Sequence, residues 1–444
     1  MKPRRHRSAP AAKAAAAHPA APPQLVQIEK PIYGGSFLAR VEGKAVFVPL
    51  ALPGEQARVS FAEQKRSFAT AEVDAIVAPS PERIAAPCPH FGACGGCQYQ
   101  HATYEAQLGF KHAILRETLE RAGVHPPDSI GVLAGYPWAY RNRIRLAFDA
   151  AGNPGYRGRR SHAVVPIAEC PIAAPMLVNA AHRAAEVFRE FGSASRPAEL
   201  ALFCDTEETS ALASVFTGSA RLPFKDISAA LLRHIPLLRG VEWIEQQAGQ
   251  TPRTFAQSGD SSLTYLAAGF DYRVDHGAFF QVNRWLVDAL VERVAGGRSG
   301  ALAWDLFAGV GLFARGLAAS FDRVIAVESA PAATAALAHN LSGARAEAID
   351  SSTLAFLHRA TRQPRIKPDF IVVDPPRTGL GPETTSLLAT IAAPALTYVS
   401  CDPATLARDL HALLAAGYTI DRITLADLFP QTFHLETIVD LRRR

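Results

Sequence analysis

The stretch ALAWDLFAGVG, residues 301–311, runs from a short apolar segment into a turn that is rich in glycine. A strand followed by a glycine turn and a helix is how open α/β sheets begin a ligand site. The next apolar segment, RVIAVE (323–328), ends at Glu328, nineteen residues after Gly309. A carboxylate at this spacing typically accepts hydrogen bonds from the hydroxyls of a ribose. The pattern therefore predicts a sheet that binds a nucleoside.

Three further apolar segments follow, and each ends at a polar residue. They are AEAID (346–350), DFIVVD (369–374) and LTYVSC (396–401). Strands that alternate with helices indicate a parallel sheet whose carboxyl edge binds ligands. The glycine turn reads D-x-F-x-G-x-G, unlike the G-x-G-x-x-G of dinucleotide enzymes, and no P-loop lysine is present. It is most similar to the S-adenosylmethionine loop of class I methyltransferases.

A cysteine, Cys401, stands where the last of these strands gives way to a helix, in VSCDPATLARDL (399–410). Asp402 is a good N-cap, and Pro403 suits the first helical position. The positive end of a helix dipole lowers the pKa of a nearby thiol and favours the reactive thiolate. A small buried apolar residue would suit the same position. Position alone leaves both interpretations open.

The composition is that of a soluble globular protein: 444 residues, 48% hydrophobic and 20% charged. This length indicates about three domains. The net charge of +5 permits a nucleic-acid partner. No apolar run approaches the roughly 20 residues of a membrane span, and six cysteines do not suggest a secreted disulfide scaffold. We therefore expect a cytoplasmic protein with no membrane partner, and a monomer.

The first 23 residues are rich in alanine, proline and basic residues, and we predict a disordered basic tail over 1–23. Pro19, Pro22 and Pro23 interrupt the apolar core that a secretory signal needs. A transit peptide remains the alternative.

Short alternating strands between turns characterise residues 24–80, as in KAVFVPL (44–50) and ARVSF (57–61). They predict a small β-barrel, a shape often used to bind oligonucleotides, although any small β-domain would give the same pattern. The segment IYGGSFLARVEGKAVFVPLALPGE (32–55) resembles the TRAM domain, an RNA-binding barrel of RNA-modifying enzymes.

Three cysteines are close together in CPHFGACGGC (88–97), with the spacing C-x5-C-x2-C. Such spacing, with glycines that allow the chain to wrap, indicates a metal site. The fourth ligand is either Cys170, in IAECPI (167–172), or Cys204, whose apolar surroundings favour a core position. Zinc and a [4Fe–4S] cluster both accept four thiolates, and His90 and His101 keep a mixed zinc site open.

An arginine-rich segment, WAYRNRIRLAFDAAGNPGYRGRR (138–160), contains six arginines against one acid, Asp149. On a strand, Arg141, Arg143 and Arg145 would share one face, since side chains alternate. Interleaved aromatic residues suit phosphate contacts combined with base stacking. We expect this segment to bind RNA; a solvated strand face is the alternative.

Several motifs occur together in one order: FFQVN (279–283), DLFAGVG (305–311), DPPRTGL (374–380), SCDPATLARDL (400–410) and FHLETIVDL (433–441). With the cysteine motif and the TRAM-like segment, the chain resembles the RNA uracil-5-methyltransferase family over residues 24–444, and is most similar to the iron–sulfur branch acting on 23S ribosomal RNA. The resemblance implies an α/β fold: a Rossmann-like class I methyltransferase domain (271–444), the β-barrel (24–80) and a central α+β iron–sulfur and RNA-binding domain (81–270).

The resemblance also implies the cofactors and the functional residues. A [4Fe–4S] cluster would be held by Cys88, Cys94, Cys97 and Cys170. S-adenosylmethionine would be bound by Gln281, Phe307, Glu328 and Asp374, with Asp350 reading the adenine. Cys401 matches the nucleophile that adds to C6 of uracil, and Glu436 matches the base that removes the C5 proton.

Two further residues of these motifs, His434 and Leu312, are not assigned to the catalytic or cofactor sites. His434 would share a strand face with Glu436, and we interpret it as a packing residue. Leu312 departs from the family, because the ribosomal RNA enzymes can carry a polar asparagine there, so we expect one cofactor hydrogen bond to be missing.

Three alternatives remain from the sequence. Transfer RNA could be the substrate instead of ribosomal RNA. The DPPR segment resembles motifs of N-methyltransferases, which need no nucleophilic thiol. A non-catalytic ribosome-associated RNA-binding protein would be expected to lose the nucleophile or the base, and both are present.

Overall fold

The computed structural model describes residues 22–193, 196–219, 221–247, 249–362 and 367–443. They form two compact units, one of residues up to 31 with 36–81, and one of residues 32–35 with 82 onward. Most of the predicted tail, residues 1–21, lies outside the described residues.

The first unit is a closed β-barrel with the strand order β1-β2-β3-β5-β4. Its side chains alternate, so that Val46 and Val48 on one strand and Ala57 and Val59 on another are fully buried. The predicted small barrel is therefore confirmed. The strands are β1 (Gln24–Pro31), β2 (Ser36–Val41), β3 (Lys44–Pro49), β4 (Gln56–Gln64) and β5 (Phe68–Ala78).

The second unit begins with the cysteine-rich loop and then forms helix α1 (Tyr104–Arg121) and strand β6 (Gly131–Leu133). Thr103 caps the helix, since its hydroxyl accepts a hydrogen bond from the Ala106 amide at 3.3 Å. The next elements form a mixed sheet, the central sheet, with the order β13-β12-β11-β10-β7-β8-β9. They are β7 (Arg143–Phe148), β8 (Pro154–Arg157), β9 (Val164–Pro166), α2 (Pro175–Glu190), β10 (Glu199–Cys204), β11 (Ala211–Thr217), α3 (Phe224–His234), β12 (Leu238–Glu245) and β13 (Arg253–Gly259).

The two faces of the central sheet differ. Helices α2 and α3 cover one face, where Leu146, Leu200 and Trp243 are buried in a common core. The other face carries Arg143 and Arg145, as the sequence predicts from the alternation of side chains.

The remaining elements form a hairpin and a large sheet with the order β18-β17-β16-β19-β20-β22-β21-β6. The order reverses beside β16, and ligands of open α/β sheets bind at such a point, outside the carboxyl ends of the strands. The elements are β14 (Ser262–Ala267), β15 (Phe270–Asp275), α4 (Val287–Ala295), β16 (Gly300–Leu306), α5 (Leu312–Leu317), β17 (Phe321–Glu328), α6 (Pro331–Asn340), β18 (Ala346–Asp350), α7 (Thr353–Thr361), β19 (Phe370–Val373), α8 (Gly381–Ile391), β20 (Ala395–Ser400), α9 (Pro403–Ala415), β21 (Tyr418–Ala426) and β22 (Glu436–Arg443).

Strand β22 is antiparallel to both of its neighbours, whereas β16 to β20 run parallel to one another. The large sheet also takes in elements from 81–270, the range the sequence assigns to a central domain. Strand β6 pairs with β21, and Ile114 and Leu119 of α1 are buried in the core of the large sheet. Their packing partners lie some 300 residues away in the chain, so no local pattern could assign them to this sheet.

Candidate active site

Strand pairing brings Cys401 and Glu436 together. Ser400, the last residue of β20, pairs with Thr437 on the antiparallel strand β22. The residue after Ser400 and the residue before Thr437 therefore face each other across the end of the ladder. Cys401 is half-buried there, and Glu436 is buried at 5% exposure. The strand begins only at Glu436, so His434 lies in the loop before it and not on the predicted strand face.

The helix after Cys401 begins as the sequence predicts. The Asp402 carboxylate accepts hydrogen bonds from the amides of Ala404 at 3.1 Å and Thr405 at 2.9 Å, and Pro403 occupies the first turn. Cys401 thus lies at the positive end of α9.

The Cys401 thiol is nevertheless protonated at rest. Burial, followed by the charges of Glu436 and Asp374, raises its pKa to about 12, although Arg377 opposes this shift. The expectation that this thiol has a lowered pKa is wrong, because desolvation and two nearby acids outweigh the effect of the helix dipole.

Two acids beside the thiol also hold protons more tightly than usual. Burial raises the pKa of Asp374, which follows β19, to about 7. Burial and the neighbouring Asp374 charge raise the pKa of Glu436 well above its usual range. Asp374, Glu436 and Cys401 therefore form a cluster in which the charge of each group affects the pKa of the others.

Arg377 brings positive charge to this cluster. Its Nη2 lies 3.2 Å from Nδ1 of His434. Burial and Arg377 lower the pKa of His434 to about 4, so the ring is neutral and its Nδ1 accepts the guanidinium hydrogen bond. The imidazole also packs against Phe433 at 4.4 Å between ring centroids. His434 therefore orients Arg377 besides filling space.

The glycine turn after β16 forms the next part of the site. Phe307 has a left-handed backbone with φ +65°, which is strained for a residue with a side chain. A side chain at Gly309 would meet no atom within 4 Å, whereas one at Gly311 would lie 2.9 Å from Leu337. The turn is therefore packed on one side and open on the other, as a ligand cradle requires.

Glu328 closes this cradle at the end of β17. Its Oε2 accepts the Gly309 amide at 2.8 Å, and its Oε1 accepts the amides of Ser329 and Ala330, each at 2.7 Å. Glu328 pairs with Asp350 across β17 and β18, so the two predicted cofactor carboxylates are neighbours on the same edge. Asp350 is exposed.

A buried acid beneath the turn was not singled out from the sequence. Asp305 accepts the Ala314 amide at 2.8 Å, while its Oδ1 has no hydrogen-bond partner in the part of the chain that the structure describes. Burial raises its pKa to about 8. Its position at the end of a strand, as the first residue of D-x-F-x-G-x-G, was the available signal.

Two other residues singled out from the sequence, Gln281 and Leu312, are buried. The carbonyl of Gln281 accepts a hydrogen bond from the Asn142 side chain at 2.8 Å, which fixes the 279–283 segment to the central sheet. Leu312, the first residue of α5, packs into the core of the large sheet.

The four predicted cluster cysteines, Cys88, Cys94, Cys97 and Cys170, line one cavity of about 320 Å³, together with Arg141 and Phe433. Burial raises the pKa of the Cys97 thiol to about 12. Among the described residues, no three His, Cys, Asp or Glu side chains are arranged to hold a metal ion. Cys204 lies apart, in the core of the central sheet, as the sequence favours.

The cysteine-rich loop is tied to the chain segment that precedes Glu436. The amides of Gln98 and Tyr99 donate to the Gln431 carbonyl at 2.9 and 3.0 Å. The Phe433 amide donates to the Gln98 side chain at 3.4 Å. Movement of the loop would therefore move the approach to Glu436.

The comparisons with known proteins agree with this geometry. The family described as tRNA (Uracil-5-)-methyltransferase matches residues 260–444, and the TRAM domain matches residues 23–73. A 23S rRNA (uracil(1939)-C(5))-methyltransferase RlmD from Chromohalobacter salexigens is 34% identical and covers 94% of this chain and 89% of its own. The chain belongs to the RNA uracil-5-methyltransferase family. The predicted class, an S-adenosylmethionine-dependent RNA uracil-5-methyltransferase, is thereby confirmed.

Two further relatives are informative. An uncharacterized RNA methyltransferase from Streptomyces avermitilis is 34% identical over 94% of this chain and 97% of its own. The crystal structure of Pyrococcus abyssi tRNA (uracil-54, C5)-methyltransferase, in complex with S-adenosyl-L-homocysteine, has a TM-score of 0.73 at 24% identity, covering 94% and 100% of the two chains. This likeness confirms the predicted fold.

Within the described ranges, no helix is long and apolar enough to cross a membrane.

Proposed function

We propose that this protein methylates C5 of a uridine in 23S ribosomal RNA, with Cys401 as nucleophile and Glu436 as base. The observation that carries the proposal is the pairing of β20 with β22, which sets a thiol opposite a buried carboxyl at the ligand-binding edge of the sheet. A non-catalytic RNA-binding protein would have no need of this pair.

The chemistry requires both groups. C5 of uracil is a poor nucleophile until a thiolate adds to C6, which leaves an enolate whose C5 can form a bond to a methyl group. S-adenosylmethionine supplies that methyl group from a positively charged sulfonium. The ionised form of Glu436 then takes the C5 proton, and the electron pair of the C5–H bond expels the Cys401 sulfur from C6.

Proton transfer within the acid cluster would activate the thiol. With a pKa of about 12, Cys401 needs an acceptor for its proton as its sulfur attacks. Asp374, with a pKa of about 7, is half ionised near neutrality and can accept this proton. The positive charge of Arg377 favours the ionised forms of Cys401 and Glu436.

The glycine turn is suited to hold the cofactor. We assign the ribose hydroxyls to Glu328 and the adenine to its neighbour Asp350, with Phe307, Gln281 and Asp374 completing the pocket. For Glu328 to reach a ribose, at least one of its three amide hydrogen bonds must be exchanged. Leu312 offers no polar atom for a further contact.

Ribosomal RNA is preferred as the substrate because several relatives at 33–34% identity carry the name of a 23S rRNA methyltransferase. Transfer RNA is the rival substrate, named in the matching family and in the Pyrococcus structure. Labelled S-adenosylmethionine, incubated with unmodified 23S ribosomal RNA and with transfer RNA, separates them. We expect 5-methyluridine in the ribosomal RNA; label in transfer RNA alone would refute the assignment.

We further propose that Cys88, Cys94, Cys97 and Cys170 bind a [4Fe–4S] cluster that cross-links the cysteine-rich loop to the central domain. The donor set fits, because four thiols share one cavity and Arg141 brings positive charge to it. A cubane cluster places each thiolate on a different iron, so it does not need three donors around a single ion, unlike zinc. When bound, the cluster supplies a rigid cross-link, and no methyl-transfer step requires it.

Metal analysis of protein purified without oxygen tests this assignment. We expect four iron and four sulfide per chain, and a loss of both in Cys170→Ala. Stoichiometric zinc without iron would contradict it.

The enzyme is expected to act in the cytoplasm, where its ribosomal RNA substrate is found.

A further inference from the structure

A second cavity opens on the face of the central sheet opposite α2 and α3, and its lining shares Arg141, Ile144 and Arg145 with the cysteine cavity. It measures about 310 Å³ and is lined by residues of β7, β10, β11 and β12, and by 275–277. We call it the arginine pocket; Arg143, Phe203, Ser214, Phe216 and His276 are among its lining residues. Its volume is in the range of pockets that bind small organic ligands.

Arg143 is the unusual member of this lining. Its guanidinium carbon lies 4.4 Å from the centroid of Phe203, and among the described residues no carboxylate forms an ion pair with it. Burial lowers the pKa of Arg143 to about 10, which still leaves it charged near neutrality. Arg143 is partly buried, and a partly buried cation without a counter-charge favours an anionic ligand.

Two of the neighbouring charges are paired within the protein. Arg145, which lies over Phe216 at 4.0 Å, forms an ion pair with Glu199 at 2.5 Å. Asp275 is bound by Arg273 at 2.6 Å.

Arg141 also lines the pocket, and Glu242, which accepts hydrogen bonds from Ser214 and Thr254, brings a negative charge close to His276. The positive charges that face a ligand are therefore those of Arg143 and Arg141, and a guanidinium selects anions with two or more acceptor oxygens.

Polar atoms and position both point to a nucleotide. Nε2 of His276 lies 3.3 Å from the Asp260 carbonyl and so carries the proton, which leaves Nδ1 as an acceptor with no partner among the described residues. Val282 lines the same pocket and directly follows Gln281, which we assign to the reaction site. The pocket thus lies beside the 279–283 segment, next to a residue that we assign to the cofactor.

We propose that the arginine pocket binds one nucleotide of the substrate RNA other than the methylated uridine, with a phosphate on Arg143. This inference rests on the proposed function and adds to it a subsite that helps to hold the RNA strand. A guanidinium held over an aromatic ring presents its N–H edge to a phosphate and its outer face to a base.

The test compares Arg143→Gln with Arg323→Gln in binding to a transcribed 23S ribosomal RNA fragment. Arg323 is an exposed arginine paired with Glu347 on the large sheet, so the control removes the same charge elsewhere. We expect Arg143→Gln to weaken RNA binding about 10-fold and to reduce the slope of log affinity against log salt by about 0.7–0.9. S-adenosylmethionine binding and kcat at saturating RNA should change little. An RNA affinity and a salt slope equal to those of the control would overturn the proposal.

Two further measurements guard against loss of folding in Arg143→Gln. Ala201→Trp would fill the pocket while keeping the charge, since Ala201 lies on its wall, and should also weaken RNA binding. Ultraviolet cross-linking of the wild-type protein to the same RNA should label peptides containing Phe203, Phe216 or His276; the absence of such peptides would count against the pocket. If the wild-type protein bound RNA without methylating it, the proposed function would fail, while these binding results would still decide the pocket.

Discussion

A buried ion pair connects helix α1 to the segment that leads to Glu436. The Lys111 ammonium lies 2.5 Å from Oδ1 of Asp427 and donates to the Phe429 carbonyl at 2.9 Å, and both charged side chains are fully buried. Burial lowers the pKa of Lys111, and the Asp427 charge partly restores it. Removing either charge would therefore leave the other one buried without a counter-charge.

Replacing Lys111 with methionine keeps the side-chain volume and removes one charge. The Asp427 carboxylate is then left buried without a counter-charge, and its Oδ2 already lacks a partner within the described residues. Breaking a buried pair in this way costs about 3–5 kcal/mol. For a cooperative unit of this size, the midpoint of thermal unfolding should fall by about 4–7 °C.

Urea denaturation measures the change in free energy of unfolding, and thermal denaturation measures the change in midpoint temperature. Both are applied to the wild-type protein, to Lys111→Met, and to Lys111→Met combined with Asp427→Leu. The double variant should recover most of the lost stability, since a buried pair replaced by apolar residues is often neutral. An unchanged midpoint of thermal unfolding in Lys111→Met would refute the predicted cost of the unpaired Asp427 charge. A double variant as unstable as the single one would refute it as well.

Three further predictions concern the reaction site. Glu328→Ala should weaken S-adenosylmethionine binding by about 10- to 150-fold and leave RNA affinity unchanged, because the variant loses a charge-assisted hydrogen bond to the cofactor. Calorimetry with each ligand measures both affinities. Equal cofactor affinity in the variant and the wild-type protein would show that the ribose site is misassigned. The single-turnover rate of adduct formation should rise with pH through about 7, because Asp374, whose pKa is raised to about 7, then loses its proton. Asp374→Asn should abolish this inflection. An inflection that persists in the variant would exclude Asp374 as the proton acceptor. Arg377→Met should slow adduct formation, because the charge of Arg377 lowers the pKa of Cys401. The control Arg408→Met removes a charge that is paired with Asp409 and should not slow adduct formation. Equal rates of adduct formation in the two variants would rule out the electrostatic role of Arg377.

The sequence predicts the parts of this protein whose patterns are local. The strand at 301–306, the glycine turn and Glu328 are close in the chain, and their spacing alone indicates a nucleoside site. The cap at Asp402 and the start of α9 follow from the same kind of local rule.

Properties that depend on distant packing were beyond the sequence. Nothing near Cys401 in the chain indicates that burial, Asp374 and Glu436 would raise the pKa of its thiol, since these groups meet only through the sheet. The assignment of α1 and β6 to the large sheet depends on contacts with residues some 300 positions away. The arginine pocket likewise required the register that sets Phe203 opposite Arg143 on the neighbouring strand.

Covalent capture of RNA tests the central claim most directly. Glu436→Gln retains the nucleophile and lacks the base, so it should stall after methylation and migrate on a denaturing gel as a protein–RNA band that carries the cofactor's methyl label. RNA with 5-fluorouridine at the target should trap the wild-type enzyme in the same way, because fluorine cannot leave as a cation. Cys401→Ala should bind RNA, form no adduct and transfer no methyl group. Methylation at C5 or an adduct in Cys401→Ala would contradict the account.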